Sequence, residues 1–215
     1  TIKNSILRRL GDSTGTAKYG LSIYSPSIVS NSTIINTNSI VIYSSANGTN
    51  ITSNSFEGSS ISGDIDIILL TNSTYANYIM SNTYIAYNNK TNTSLFLDLS
   101  QANNTFTKVI GNKILKRTVT GTTSNADAIL INQRATNIFI YNNSFIDAGT
   151  NSQTQSLIIF NNVGNVFTSL NYTFTDNIVN TTNRTSVVRF NTNANYSVTW
   201  LNNTFNYSKV TFQSI

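Results

Sequence analysis

With 215 residues, a formal charge of +5 and only 10% charged residues, the chain can fill one all-β domain with a continuous core, yet it carries far less charge than the quarter or so usual in soluble domains. The absence of Cys excludes disulfides and thiolate metal sites, and the absence of His removes the commonest general base and zinc ligand. Basic residues are not interleaved with aromatics, which argues against nucleic acid as a partner, and no apolar run nears the ~18 residues of a membrane span.

The first 18 residues hold Lys3, Arg8, Arg9 and Lys18. Within them, Asn4–Gly11 places Ile6, Leu7 and Leu10 ahead of a closing glycine. That pattern predicts a short amphipathic cap helix, or else a basic assembly tail, over 1–18. The start at Thr1 has no signal-peptide layout, so a targeting segment is expected to have been removed already.

From residue 19 onward a short unit recurs: apolar, any residue, small or polar, Asn, any residue, apolar. It runs through Ile28-Val29-Ser30-Asn31, Ile51-Thr52-Ser53-Asn54-Ser55-Phe56 and Ile79-Met80-Ser81-Asn82-Thr83-Tyr84. Val109-Ile110-Gly111-Asn112-Lys113-Ile114, Ile140-Tyr141-Asn142-Asn143-Ser144-Phe145, Phe174-Thr175-Asp176-Asn177-Ile178-Val179 and Trp200-Leu201-Asn202-Asn203-Thr204-Phe205 follow. The Asn column is therefore 31, 54, 82, 112, 143, 177 and 203, and only Thr33 departs from the apolar column two residues later. A second apolar strand precedes each of the last six copies, with alternating pairs Val41/Tyr43, Ile68/Leu70, Leu97/Leu99, Ile129/Ile131, Ile158/Phe160 and Val188/Phe190.

Period-two alternation marks strands, and the wealth of Asn, Thr, Ser and β-branched residues speaks against helices. If each copy is one coil, equivalent residues stack ~4.8 Å apart. Asn tolerates left-handed backbone at a sharp turn, and its amide can bond up and down the column. The prediction is a buried Asn ladder. After the last copy, Lys209–Ile215 reads as one more strand with no cap behind it, and an unpaired edge invites a second copy to add head to tail.

Fourteen Asn-x-Ser/Thr triplets occur, at Asn31, Asn47, Asn50, Asn72, Asn89, Asn92, Asn103, Asn142, Asn171, Asn180, Asn183, Asn195, Asn202 and Asn206. A surface so poor in charge suits covalent N-glycans, and hence an extracellular, cell-surface location. Of eight carboxylates, Asp66 and Asp127 fall in one column two coils apart, roughly 10 Å by strand spacing, with Asp98 on the coil between and Arg134 nearby. These four are the enzyme candidates, and the alternative is isolated solvated charges. Tyr75, Tyr78, Tyr87, Tyr172, Tyr196 and Tyr207 lie in polar surroundings and read as outward-facing. No residue set points to a cofactor or metal.

The Asn-Asn-x-Phe units resemble the coil repeats of the right-handed parallel β-helix family, the pectate-lyase-like superfamily, over roughly 19–212. The resemblance implies a right-handed parallel β-helix, here of about seven coils. On function it is nearly silent, because such folds serve lyases, hydrolases, spikes, adhesins and structural proteins. In the lyases, an acidic patch binds calcium and an Arg or Lys abstracts the proton. The composition is also similar to that of archaeal surface-filament glycoproteins, which implies a rival fold: an immunoglobulin-like β-sandwich pilin completed by a donated strand. The expectation is a non-enzymatic filament subunit joined to copies of itself. The alternatives are a polysaccharide-cleaving enzyme and an adhesin or viral spike.

Overall fold

A computed structural model describes residues 1–8, 10, 19–35, 40–59, 65–70, 77–88, 94–99, 104–118, 126–132, 135–147, 156–162, 170–181, 188–192, 196–206 and 210–213. These form three eight-stranded parallel sheets. In order, sheet A contains Ile2–Lys3, Ile28–Ser30, Asn50–Thr52, Asn77–Met80, Thr107–Ile110, Ile138–Tyr141, Leu170–Thr175 and Tyr196–Leu201. Sheet B contains Ile6–Arg8, Thr33–Ile35, Ser55–Ser59, Thr83–Asn88, Lys113–Thr118, Ser144–Asp147, Ile178–Thr181 and Thr204–Asn206. Sheet C contains Tyr19–Ile23, Ile40–Ser44, Ile65–Leu70, Ser94–Leu99, Ala126–Asn132, Ser156–Asn162, Val188–Thr192 and Val210–Gln213. The chain visits A, B and C in turn and returns to A one strand further along, giving eight circuits. A short extra pair joins Asn104–Thr105 to Ala135–Thr136.

The register puts like on like. In sheet A, Val29, Ile51, Ile79, Val109, Ile140 and Phe174 are successive strand partners, all essentially inaccessible. In sheet B the matching column is Ile34, Phe56, Tyr84, Ile114, Phe145 and Val179. Sheet C contributes Ile68, Leu97, Ile129, Ile158 and Val188. These residues belong to a single core cluster. Each buried aliphatic side chain contributes roughly 2 kcal/mol of transfer free energy. Aromatics gather toward the last circuits: Phe160 stacks on Phe190 at 4.5 Å and Trp200 on Phe205 at 5.4 Å.

Five of the six predicted sheet-C pairs stand in register. The first does not, because Ile42 and Ser44, not Val41 and Tyr43, face Ile68 and Leu70. Val210–Gln213 is a strand, as Lys209–Ile215 suggested, and it pairs with Val188–Thr192. Every strand pair among the described residues is parallel, which leaves no place for the antiparallel sandwich.

The N-terminal expectation is corrected. Ile2–Lys3 and Ile6–Arg8 are strands paired with Ile28–Ser30 and Thr33–Ile35, not a cap helix or a free tail. The stack begins at Ile2, and eight circuits replace seven coils. The cause is physical: an eight-residue helix is marginal alone, whereas Ile2 and Leu7 pack against the core cluster. Arg9 and Lys18 lie outside the described residues.

Candidate functional site

The feature that recurs through every circuit is the corner between sheets A and B. A residue with positive φ ends each A strand: Asn4, Asn31, Ser53, Ser81, Gly111, Asn142, Asp176 and Asn202, with φ between 49° and 63°. Asn, Asp and Gly are the residues that best accept this backbone, and Ser accepts it at a cost. Each of the first seven corner N–H groups donates to the carbonyl just before the corner of the following circuit, for example Ser53 N to Met80 O at 2.9 Å and Asn142 N to Thr175 O at 3.1 Å.

The residue after the corner points inward and forms the ladder. Asn54, Asn82, Asn112, Asn143 and Asn177 are at most 2% exposed. In each, the backbone N–H and Nδ2 both donate to Oδ1 of the next Asn; for Asn82 to Asn112 these distances are 2.9 and 3.0 Å. The second Nδ2 hydrogen donates back to a carbonyl of the preceding circuit, as from Asn112 to Ile79 O at 2.8 Å. Asn203 closes the series by accepting from Asn177 at 2.9 and 3.0 Å. No amide hydrogen or oxygen of the central members is left unpaired, so polar groups inside the corner cost nothing in lost hydrogen bonds.

The predicted ladder is present, with one correction. Asn31 is a corner residue, and Ser32 takes the inward place, its N–H donating to Asn54 Oδ1 at 3.0 Å. Before it, Ser5 N–H donates to Ser32 Oγ at 3.2 Å. Shifting the first copy by one residue also removes the Thr33 exception, because Ile34 then holds the apolar place and is 1% exposed.

Gly111 is the one glycine at a corner, with φ +63° and only Ser81 Oγ, at 3.8 Å, near a would-be Cβ. Gly111→Ala is therefore free of clash and is expected to lose about 1–2 kcal/mol from left-handed backbone alone. Ser81→Gly at the neighbouring corner is expected to gain up to that amount. Paired thermal melts of the two variants check the sign.

Of the four acidic-patch candidates, only Asp98 has its side chain among the described residues. Asp66 pairs with Leu95, and Asp98 pairs with Leu69 and Leu130, so Asp98 lies three positions along from the Asp66 row. Asp127 falls where the register of its strand shifts, between Ala126 and Ile129, and the side chains of Asp66 and Asp127 lie outside the described residues. So does all of Arg134. Asp98 is 5% exposed between buried Leu97 and Leu99, so it is not a solvated surface charge. It has an interaction partner. Among the described residues no three His, Cys, Asp or Glu side chains gather as a metal group, and no helix is long and apolar enough to cross a membrane.

Tyr172, read as outward, is in fact 3% exposed and donates to Ala135 O at 3.1 Å. Burial holds its hydroxyl protonated well above the ordinary tyrosine range. The unfolded chain ionises near pH 10, so this contribution to stability is complete below that pH and falls as pH rises above it. The native chain is expected to lose up to about 1.4 kcal/mol per pH unit there. Denaturant titrations at pH 9 and 11 on native and Tyr172→Phe chains check this, since the variant lacks that term. Tyr78 is half-buried in sheet A, with Lys108 Nζ 5.4 Å from its ring and 6.0 Å from that of Phe139. Tyr75 and Tyr207, and the side chains of Tyr87 and Tyr196, lie outside the described residues. Sequence reasoning missed Phe106 and Asn137, a second pair with positive φ at 59° and 54°. The Asn at 137 was the available signal; an exposed Phe in that backbone had none.

Of the predicted glycan acceptors, Asn31, Asn47, Asn142, Asn171, Asn180, Asn202 and Asn206 are exposed. Asn50 is half-buried, and its Oδ1 is sealed from solvent without a partner. Asn72, Asn89, Asn92, Asn103, Asn183 and Asn195 lie outside the described residues. Comparison with protein-family models, curated proteins and solved structures gives no match.

Proposed function

We propose that the chain is a right-handed parallel β-helix acting as a non-enzymatic, extracellular structural protein, a glycosylated subunit of a cell-surface filament built by head-to-tail stacking. The observation that carries this reading is the one-dimensional repetition of the sheets. Each strand finds its partners only in the circuits before and after it. Such a stack extends by adding further parallel strands of the same kind at either end, and a second copy supplies them in register. The uninterrupted core and ladder suit a stiff rod. Among the described residues no cleft gathers the acidic candidates.

Electron microscopy of the native full-length protein tests the reading. The expected result is filaments whose diffraction shows an axial repeat of ~4.8 Å. Single particles one chain in mass at high concentration would overturn it.

A further inference from the structure

The sequons and the corners coincide in a way that neither feature alone requires. Asn31, Asn142 and Asn202 each occupy the positive-φ place of the A–B corner, and each is exposed. Their triplets are Asn31-Ser32-Thr33, Asn142-Asn143-Ser144 and Asn202-Asn203-Thr204. The middle residue of every triplet is the ladder residue, turned inward, and the third begins a strand of sheet B. The corner backbone is pinned on both sides. Asn142 N donates forward to Thr175 O at 3.1 Å, and Ser144 N donates back to Asn112 O at 2.8 Å. The side chain of the corner residue is left pointing away from the core.

We infer that the corner between sheets A and B is the glycan-bearing ridge of the molecule, with Asn31, Asn142 and Asn202 as its attachment points. The inference rests on the glycoprotein reading above and narrows it. The three points fall on circuits two, six and eight, so the successive gaps are roughly 20 and 10 Å. Both gaps leave room for separate oligosaccharides along one line. Asn50 is the contrasting case. It lies within a strand of sheet A, half-buried and with its Oδ1 enclosed, so its amide is less open to a transferase than those of the exposed corners.

The chemistry needs a lipid-phosphate-linked oligosaccharide as donor and a transferase of the secretory route. Asn Nδ2 forms a bond to the anomeric carbon of the first sugar. The bond from that carbon to the donor phosphate breaks, and the phosphate leaves with the electron pair. A base takes the proton lost from the amide, and nothing is oxidised or reduced. Carrying the sugars on a corner rather than on a sheet keeps the flat faces free for contact.

Glycopeptide mass spectrometry on the protein from its own cells is the test. Glycan is expected at Asn31, Asn142 and Asn202 in most molecules, with Asn50 unmodified. Ser144→Ala and Thr204→Ala are each expected to remove the mass of one oligosaccharide while circular dichroism stays unchanged, because both leave the corner Asn in place. Glycan at Asn50 at matching occupancy, or bare corners beside modified sequons elsewhere, overturns the ridge and leaves the glycoprotein reading intact. A chain with no glycan at any sequon overturns both.

Discussion

Asn112→Ala is expected to be the most damaging single substitution in the molecule, lowering stability by about 3–6 kcal/mol. Asn112 accepts from Asn82 N and Nδ2 at 2.9 and 3.0 Å and donates to Ile79 O and Asn143 Oδ1 at 2.8 and 2.9 Å. Alanine removes all four bonds and strands the groups left behind around a residue that is 1% exposed. Each buried polar group left without a partner costs about 1–3 kcal/mol, and water has no path to replace the amide. Asn112→Asp keeps an acceptor but loses both Nδ2 donors, so it is expected to fall in the same range. Asn203→Ala is the internal control. Asn203 is half-buried and ends the ladder, with its Nδ2 donating to Phe174 O at 2.7 Å, so a loss of ~1–2 kcal/mol is expected. Urea titrations followed by circular dichroism compare the three. Equal losses at 112 and 203 would mean that the ladder's interior position confers nothing.

Phe160→Ala is expected to cost about 3–5 kcal/mol, the range for emptying a fully buried aromatic site. Phe160 is 1% exposed and sits between Phe190, stacked at 4.5 Å and 7°, and Tyr172 at 4.6 Å. Neither ring can follow it into the void, because each is fixed by its own strand register. Phe160→Leu retains most of the volume and is expected to lose less than half as much. If the alanine variant melts within a degree or two of the native chain, the core of the later circuits is far looser than its stacking geometry implies.

The ladder was legible because its requirement is unusual. A buried corner needs a residue that turns sharply and bonds in two directions, and Asn54, Asn82, Asn112, Asn143 and Asn177 stand out against apolar neighbours at fixed offsets. Where the requirement relaxes, the reading slips. Ser32 does the same inward-facing work with a hydroxyl, accepting from Ser5 N, and adjacent Asn31 drew the alignment onto itself. Thr33 in an apolar column was the visible sign of that one-residue error. The first circuit was misread for a related reason. Ile6, Leu7 and Leu10 have a spacing that suits a helix face as well as a strand, and only the partner strands at Ile28–Ser30 and Thr33–Ile35 decide between them. The burial of Asp98 and Tyr172 was invisible to local pattern. Alternation tells which face a residue takes, but not whether that face is covered by another part of the chain.

The ladder amides all point the same way. In Asn82, Asn112, Asn143 and Asn177, Oδ1 turns toward the earlier circuit, where it receives two hydrogens, while Nδ2 sends one hydrogen to the Oδ1 of the later circuit and the other back to a carbonyl of the earlier one. The opposite setting would press amide hydrogens against backbone N–H groups, so the network dictates the orientation. The small dipoles consequently add instead of cancelling, leaving partial negative charge at the first circuit and partial positive charge at the last. A molecule polarised in this manner has two electrically unlike poles, so the two ends of the stack present different fields to any charged group that approaches along its axis.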